Sequence, residues 1–355
     1  MIEKTLIEAI SLNVSDVIIA PGSPLAFKIA GVVTPRGDAP MTPAKTEALV
    51  REIYQLAGNR SLERFQSTGD DDFSLSIPGV GRFRTAVYRQ RGSCAAVIRV
   101  VRHELPDPAL LSIPAGVINL YSAKKGLVLI TGPAGSGKST TLSCIVDRIN
   151  RTLPSHVITI EDPIEYLYKN DRSIVSQREV GLDTEDFKSA LRYALRQAPN
   201  VILVGEMRDY ETISIAMTAA ETGQLVLSTL HTIGAAKTVD RIIDVFPTGQ
   251  QQQVRVQLSM TLNAVVSQQL IPTVDGGVTP AFEVMIANPA VRNLIREGKA
   301  HQIDNVIYAN PETMISMDAS ITQLYRKGRI SYDNAVNFAS DPDSMTRRID
   351  RNYAG

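Results

Sequence analysis

The pattern of apolar and polar positions changes character near residue 100. Before it, apolar residues come in short alternating stretches broken by turn residues. Residues 3–13 set Leu6, Ile7 and Ile10 on one side of a helix. Val17–Ile19 and residues 26–30 predict strands around the turn Pro21-Gly-Ser-Pro24, and Gly31 leads into Val32-Val33 as a hairpin. Thr42-Pro43 opens a helix to about Leu56, with threonine as N-cap and proline in the first turn. Residues 70–77, 81–89 and 94–101 predict three further strands, so residues 1–100 form a small α+β domain.

The proline-punctuated stretch His103-Glu-Leu-Pro-Asp-Pro108 predicts a linker, within a connecting region over 101–122. Beyond it, strands are predicted at 126–131, 156–161, 173–177, 201–205 and 225–229, with helices between most of them. That alternation predicts an α/β domain over 123–355 with a mainly parallel sheet covered on both faces. After Pro247 the run Gln250–Gln253 opens a helix to about Leu270; a strand over 281–286 and three more helices complete the reading.

Composition adds limits. Lysine and arginine (37) balance aspartate and glutamate (37), so no global field draws the chain to nucleic acid or an anionic membrane. The first ten residues carry two glutamates and no apolar core of a signal peptide, and no apolar run approaches the ~20 residues of a membrane span. The two cysteines, Cys94 and Cys144, are far apart, which excludes a four-cysteine zinc site and fits a reducing compartment. The expectation is a cytoplasmic protein.

The chemistry starts at Gly132, Pro133, Ala134, Gly135, Ser136, Gly137, Lys138 and Ser139, a complete G-x-x-x-x-G-K-[ST] phosphate loop followed by Thr140. It lies between an apolar strand and a helix with Leu142, Ile145, Val146 and Ile149 at helical spacing, the context the motif requires. Glycines let backbone amides close around phosphate oxygens, and the helix N-terminus adds its positive end. Lys138 is expected on the β- and γ-phosphates of ATP and the Ser139 hydroxyl on Mg²⁺.

Acids are needed beside it. The strand before Glu206 and the strand before Glu161-Asp-Pro-Ile-Glu165 both end in carboxylates, where ligands of open α/β sheets bind. Either Glu161 or Glu206 polarises the attacking water, with both reaching the metal through water; the alternatives are a salt-bridged glutamate and a solvated acidic turn. A third strand ends in Leu230-His231-Thr232, which puts His231 at the same sheet edge as a γ-phosphate sensor.

Together these motifs resemble the secretion and type IV pilus ATPases, over nearly the whole chain. Glu161–Glu165 is similar to that family's Asp box, Val204–Asp209 to its second nucleotide motif and Ser228–Thr232 to its His box. The resemblance implies a PAS-like N-terminal domain, a RecA-like ATPase domain with C-terminal helices, and a homohexamer. It also implies that Arg84 and Arg99, from the arginine-rich strands of the first domain, reach the nucleotide. The family usually has aspartate where this chain has Asn200.

Asn288-Pro289 can cap a helix that ends before Gly298. Within it, Ala290-Val-Arg-Asn-Leu-Ile-Arg-Glu297 is similar to a motif of pilus retraction ATPases, with Val291 in place of isoleucine. Assembly and secretion members usually carry a longer N-terminal region and a four-cysteine zinc element, neither present in this sequence. The expectation is therefore a motor for pilus retraction and twitching motility. It would sit at the inner face of the cell membrane, peripheral to it, on an inner-membrane platform protein. An assembly or type II secretion ATPase is the alternative; a RecA-like nucleic-acid motor fits the neutral charge poorly.

Overall fold

The computed structural model describes residues 1–29, 31–101, 105 and 107–350, so Ala30 and half of the expected His103–Pro108 linker (His103, Glu104 and Pro106) lie outside the described residues. The chain divides into two compact units, Met1–Glu104 with Pro163–Leu167, and Leu105–Asp162 with Tyr168–Gly355.

In the first unit the alternating stretches become α1 (Ile2–Ser11), β1 (Asp16–Ile19), β2 (Ala26–Ile29) and β3 (Val32–Pro35), followed by α2 (Pro43–Leu56) and α3 (Glu63–Thr68). β4 (Asp70–Ile77), β5 (Gly81–Gln90) and β6 (Ser93–Val101) complete an antiparallel sheet in the order β3-β2-β1-β6-β5-β4. Thr42 caps α2 through the Lys45 amide, as the Thr-Pro pair predicts. The inward face buries Val17, Phe83 and Ile98 under Leu6, Leu49 and Ile53 of the helices. The pleat of β4 turns Asp71 inward beside Phe73, and a buried carboxylate must be partnered. The Tyr54 hydroxyl donates to it at 2.9 Å and the Arg60 fork at 3.0 and 3.2 Å. Helix α3 left no pattern in the sequence because it buries only Phe65.

The second unit opens with α4 (Ala115–Ile118), inside the expected linker region; Ile113 and Val117 there are buried against Cys144, Ile145 and Val146. The repeating part runs β7 (Gly126–Thr131), α5 (Lys138–Thr152), β8 (His156–Glu161), β9 (Ile174–Glu179), α6 (Phe187–Ala194), β10 (Val201–Val204), α7 (Tyr210–Thr222), β11 (Leu225–Leu230) and α8 (Ala235–Asp244). Then come α9 (Gln251–Thr261), β12 (Leu262–Pro272) and β13 (Val278–Ile286). The sheet order is β13-β12-β7-β11-β10-β8-β9, parallel throughout except for β13. The α/β reading thus holds, and no helix among the described residues is long and apolar enough to cross a membrane.

Two expectations are corrected. The helix after Pro247 does not reach Leu270: it stops at Thr261, and 262–272 is a strand between β7 and β13. Leu262, Ala264, Val265 and Val266 are fully buried there, the environment of an interior strand, and β-branched Val265 and Val266 suit it. Instead of three helices after β13, the described residues hold five: α10 (Pro289–Arg296), α11 (Ile303–Ala309), α12 (Met317–Arg326), α13 (Tyr332–Asn337) and α14 (Pro342–Asp350). Several are short, with apolar stripes of two or three residues, which period counting does not separate.

Candidate functional site

β7 delivers the chain to Gly132 at the C-terminal end of the sheet, and α5 begins six residues later at Lys138. Gly132 has φ +140°, and a Cβ on it would lie 2.1 Å from the Gln268 carbonyl oxygen; on Gly137, at φ +86°, it would lie 2.9 Å from Gln268 Nε2. At Gly132 the backbone leaves no room for a side chain, and at Gly137 the positive φ disfavours one, which lets the loop press against β12. Lys138 is buried and its Nζ donates to the Gly132 and Pro133 carbonyls at 2.9 and 2.8 Å, spanning the loop from inside. The Ser136 hydroxyl is buried with no protein partner. A buried unpaired hydroxyl, a lysine and the first amides of a fifteen-residue helix suit a phosphate group. Ser139 and Thr140, in the first turn of α5, are half-buried.

The three acid and histidine strands are neighbours in the sheet, in the order β11-β10-β8. Glu206 follows β10 and His231 follows β11, and His231 Nε2 lies 3.4 Å from Glu206 Oε2. The other oxygen of Glu206 pairs with Arg208 at 2.5 Å. Strand ends are fixed to one another: Thr229 Oγ1 donates to the Gly205 carbonyl at 2.6 Å and Ser228 Oγ to that of Val204 at 2.7 Å. Glu161 ends β8 and accepts Thr159 Oγ1 at 2.6 Å and Gln177 Nε2 at 3.3 Å. Asn200 stands at the other end of β10, four strand residues from Gly205, where its side chain accepts the His156 amide at 2.8 Å. An aspartate could accept the same bond, so this departure touches the sheet and not the acids.

In the first unit Arg84 and Arg99 are directly opposite across β5 and β6. Like charges so placed repel, and each is offset by an acid: Arg84 by Asp72 at 2.7 Å and Arg99 by Asp16 at 2.9 Å. Within this unit they line a cavity of about 320 Å³ with Ser15 and the Pro163–Tyr166 segment, which brings Glu165 to its wall.

Sequence reasoning missed two residues. Gln268 on β12 accepts the Thr141 hydroxyl of α5 at 2.7 Å while its backbone carbonyl abuts Gly132. Reading 262–270 as helix hid it. Arg292 of α10 donates Nη1 to the Ser259 and Met260 carbonyls at 2.6 and 3.0 Å, closing the C-terminal end of α9. Asn288 caps α10 through the Val291 amide at 3.0 Å, as expected.

Fold and site define a phosphate-loop ATPase with a parallel α/β core. The type II/IV secretion system protein family matches residues 1–297, and the chain belongs to that family. It is 48% identical over 296 residues to a twitching motility protein of Neisseria gonorrhoeae, covering 83% of this chain and 79% of that one. It is 42% identical over 332 residues to the type IV pilus retraction ATPase PilT of Pseudomonas aeruginosa, covering 93% and 96%. The crystal structure of the pilus retraction motor PilT with bound ADP superposes with a TM-score of 0.89 at 43% identity, covering 97% and 98%.

Proposed function

We propose that this ATPase is the motor that withdraws type IV pili, working as a homohexamer on the cytoplasmic face of the inner membrane. It engages a platform protein there without inserting. The observation that carries the reading is the phosphate loop beside the Glu206–His231 pair, in a chain similar from end to end to a retraction ATPase.

In this reading Gly132–Thr140 holds the phosphates of ATP, and Lys138 exchanges its loop carbonyls for β- and γ-oxygens. The Ser139 hydroxyl would hold Mg²⁺, with Glu161 and Glu206 as its acidic neighbours, and the ion would supply positive charge to offset that of the phosphates. Of the two acids Glu206 is the better placed to orient the attacking water, since His231 and Arg208 fix both of its oxygens. His231 then reports the γ-phosphate, and Arg84 and Arg99 offer guanidinium forks to charge developing on it.

The experiment pairs two measurements. Purified protein should release phosphate from ATP, and E206Q should bind ATP yet lose nearly all turnover while E161Q retains more. Deleting the gene should leave excess surface pili that no longer withdraw. Cells without any pili would refute retraction in favour of assembly, and stimulation of turnover by single-stranded DNA would favour a nucleic-acid motor.

A further inference from the structure

One buried acid plays no part in the site described above. Glu283, on β13, is 7% exposed, and its carboxylate accepts a backbone amide. Its Oε1 accepts the Ala235 amide at 2.8 Å, the first of α8. The amide of Met317, the first of α12, faces the same carboxylate and helps to hold it ionised. Two helix N-termini, each with its positive end, therefore meet on one side chain. Burial raises the carboxyl above its usual range, and the two amides oppose that shift.

The position of this acid in the sheet gives it reach. Leu230, Thr131, Ser267 and Glu283 form one transverse row across β11, β7, β12 and β13. Leu230 precedes His231, and Thr131 precedes Gly132 of the phosphate loop. Beyond His231 the turn to α8 is held at two consecutive amides, Gly234 N–H by Ser267 Oγ at 3.0 Å and Ala235 N–H by Glu283. Gly234 has φ +92°, and a Cβ on it would approach Glu283 Oε1 to 3.8 Å, so the turn lies directly against the acid. On its other side, β13 grips the entry to α12 at two further points. Val284 and Ile315 exchange amide bonds of 2.7 and 3.0 Å, and Phe282 N–H donates to Ser320 Oγ at 3.1 Å.

We propose that Glu283 is a positioning residue for His231: its carboxylate fixes the turn from His231 into α8 and ties that turn to the first amide of α12. A shift of the histidine when nucleotide is bound or cleaved is thereby felt at the C-terminal helices. The inference rests on the reading of Gly132–Thr140 as the nucleotide site.

The test uses the full chain and E283Q. Glutamine keeps the size and can still accept the Ala235 amide, but it removes the charge that the two helix N-termini face. Binding of a fluorescent ATP analogue should stay within about twofold of wild type, because the phosphate loop is untouched. Turnover should fall roughly tenfold or more, the effect of losing one charged hydrogen bond. Hydrogen exchange at Met317–Ser320, slowed by ATP in wild type, should cease to respond. E283D, with the charge kept and the reach shortened, should recover part of both. Wild-type turnover with the exchange response intact in E283Q overturns the inference. So does a loss of binding, turnover and melting temperature together, which marks a merely structural acid. A wild type that binds no nucleotide overturns the reading of the site itself and this inference with it, a result distinct from either of the others.

Discussion

Gln268 offers the sharpest test of how the phosphate loop is held. Its Oε1 accepts the buried Thr141 hydroxyl at 2.7 Å, and both side chains are sealed from water. Replacing Gln268 with methionine leaves that hydroxyl buried and unpaired, at a cost of about 1–3 kcal/mol. Replacing Thr141 with valine strands the glutamine amide at a similar cost. Replacing both removes donor and acceptor together, and the double variant should regain most of the loss, with a coupling energy of about 0.5–3 kcal/mol. At ~2–4 °C per kcal/mol for a domain of this size, each single variant should melt ~2–12 °C lower and the double within a few degrees of wild type. Scanning calorimetry with and without ADP reads this directly. ATP affinity should weaken in Q268M, because Gly132 and Gly137 rest against the same residue. Additive single and double effects, or an unchanged melting temperature in Q268M, would refute the account of β12 as the support of the loop.

Arg84→Ala should lose hydrolysis while ATP binding persists, and turnover close to wild type would exclude a catalytic role for that fork. Arg292→Ala strips the donor from the Ser259 and Met260 carbonyls and should destabilise by about 1–3 kcal/mol in urea unfolding, with R292K recovering part through its charge at the helix C-terminus. Burial pushes the Cys144 thiol up to about 11, whereas the unfolded thiol ionises near ~8.5. Between those values the unfolded chain holds fewer protons, so stability should fall as pH rises from about 8.5 to 11. C144A should remove that part of the slope in unfolding titrations, and an identical slope in both proteins would contradict the burial of the thiol.

Much of this was legible in the sequence because the signals were local. Thr42-Pro43 and Asn288-Pro289 name their helix starts by their own chemistry, and both caps form. Gly132–Ser139 needs only its own residues and its two flanks, an apolar strand before and a helix after. What was hidden depends on partners far away. Residues 262–270 follow a helix without a turn residue between, and only pairing with β7 and β13 makes them a strand. Gln268 and Glu283 look like ordinary polar residues in apolar runs. Their roles come from Thr141, 127 positions away from Gln268, and from the starts of α8 and α12 beside Glu283. The acids Asp16 and Asp72 that hold Arg99 and Arg84 were likewise unreadable, since cross-strand register is not written in either strand alone.

The place of β7 in the sheet bears on how the protein is made. Its two neighbours are residues 225–230 and 262–267, both far downstream. While the ribosome is still short of those segments, the strand that carries the phosphate loop has no ladder on either side. The loop's glycines likewise have no Gln268 to rest on until β12 emerges. Fragments ending before about residue 270 should therefore leave an apolar strand bare, a target for chaperones and proteases. Synthesis and competence to bind nucleotide are thus separated by more than a hundred residues of translation, and a stalled or truncated chain should be removed before it can compete for nucleotide.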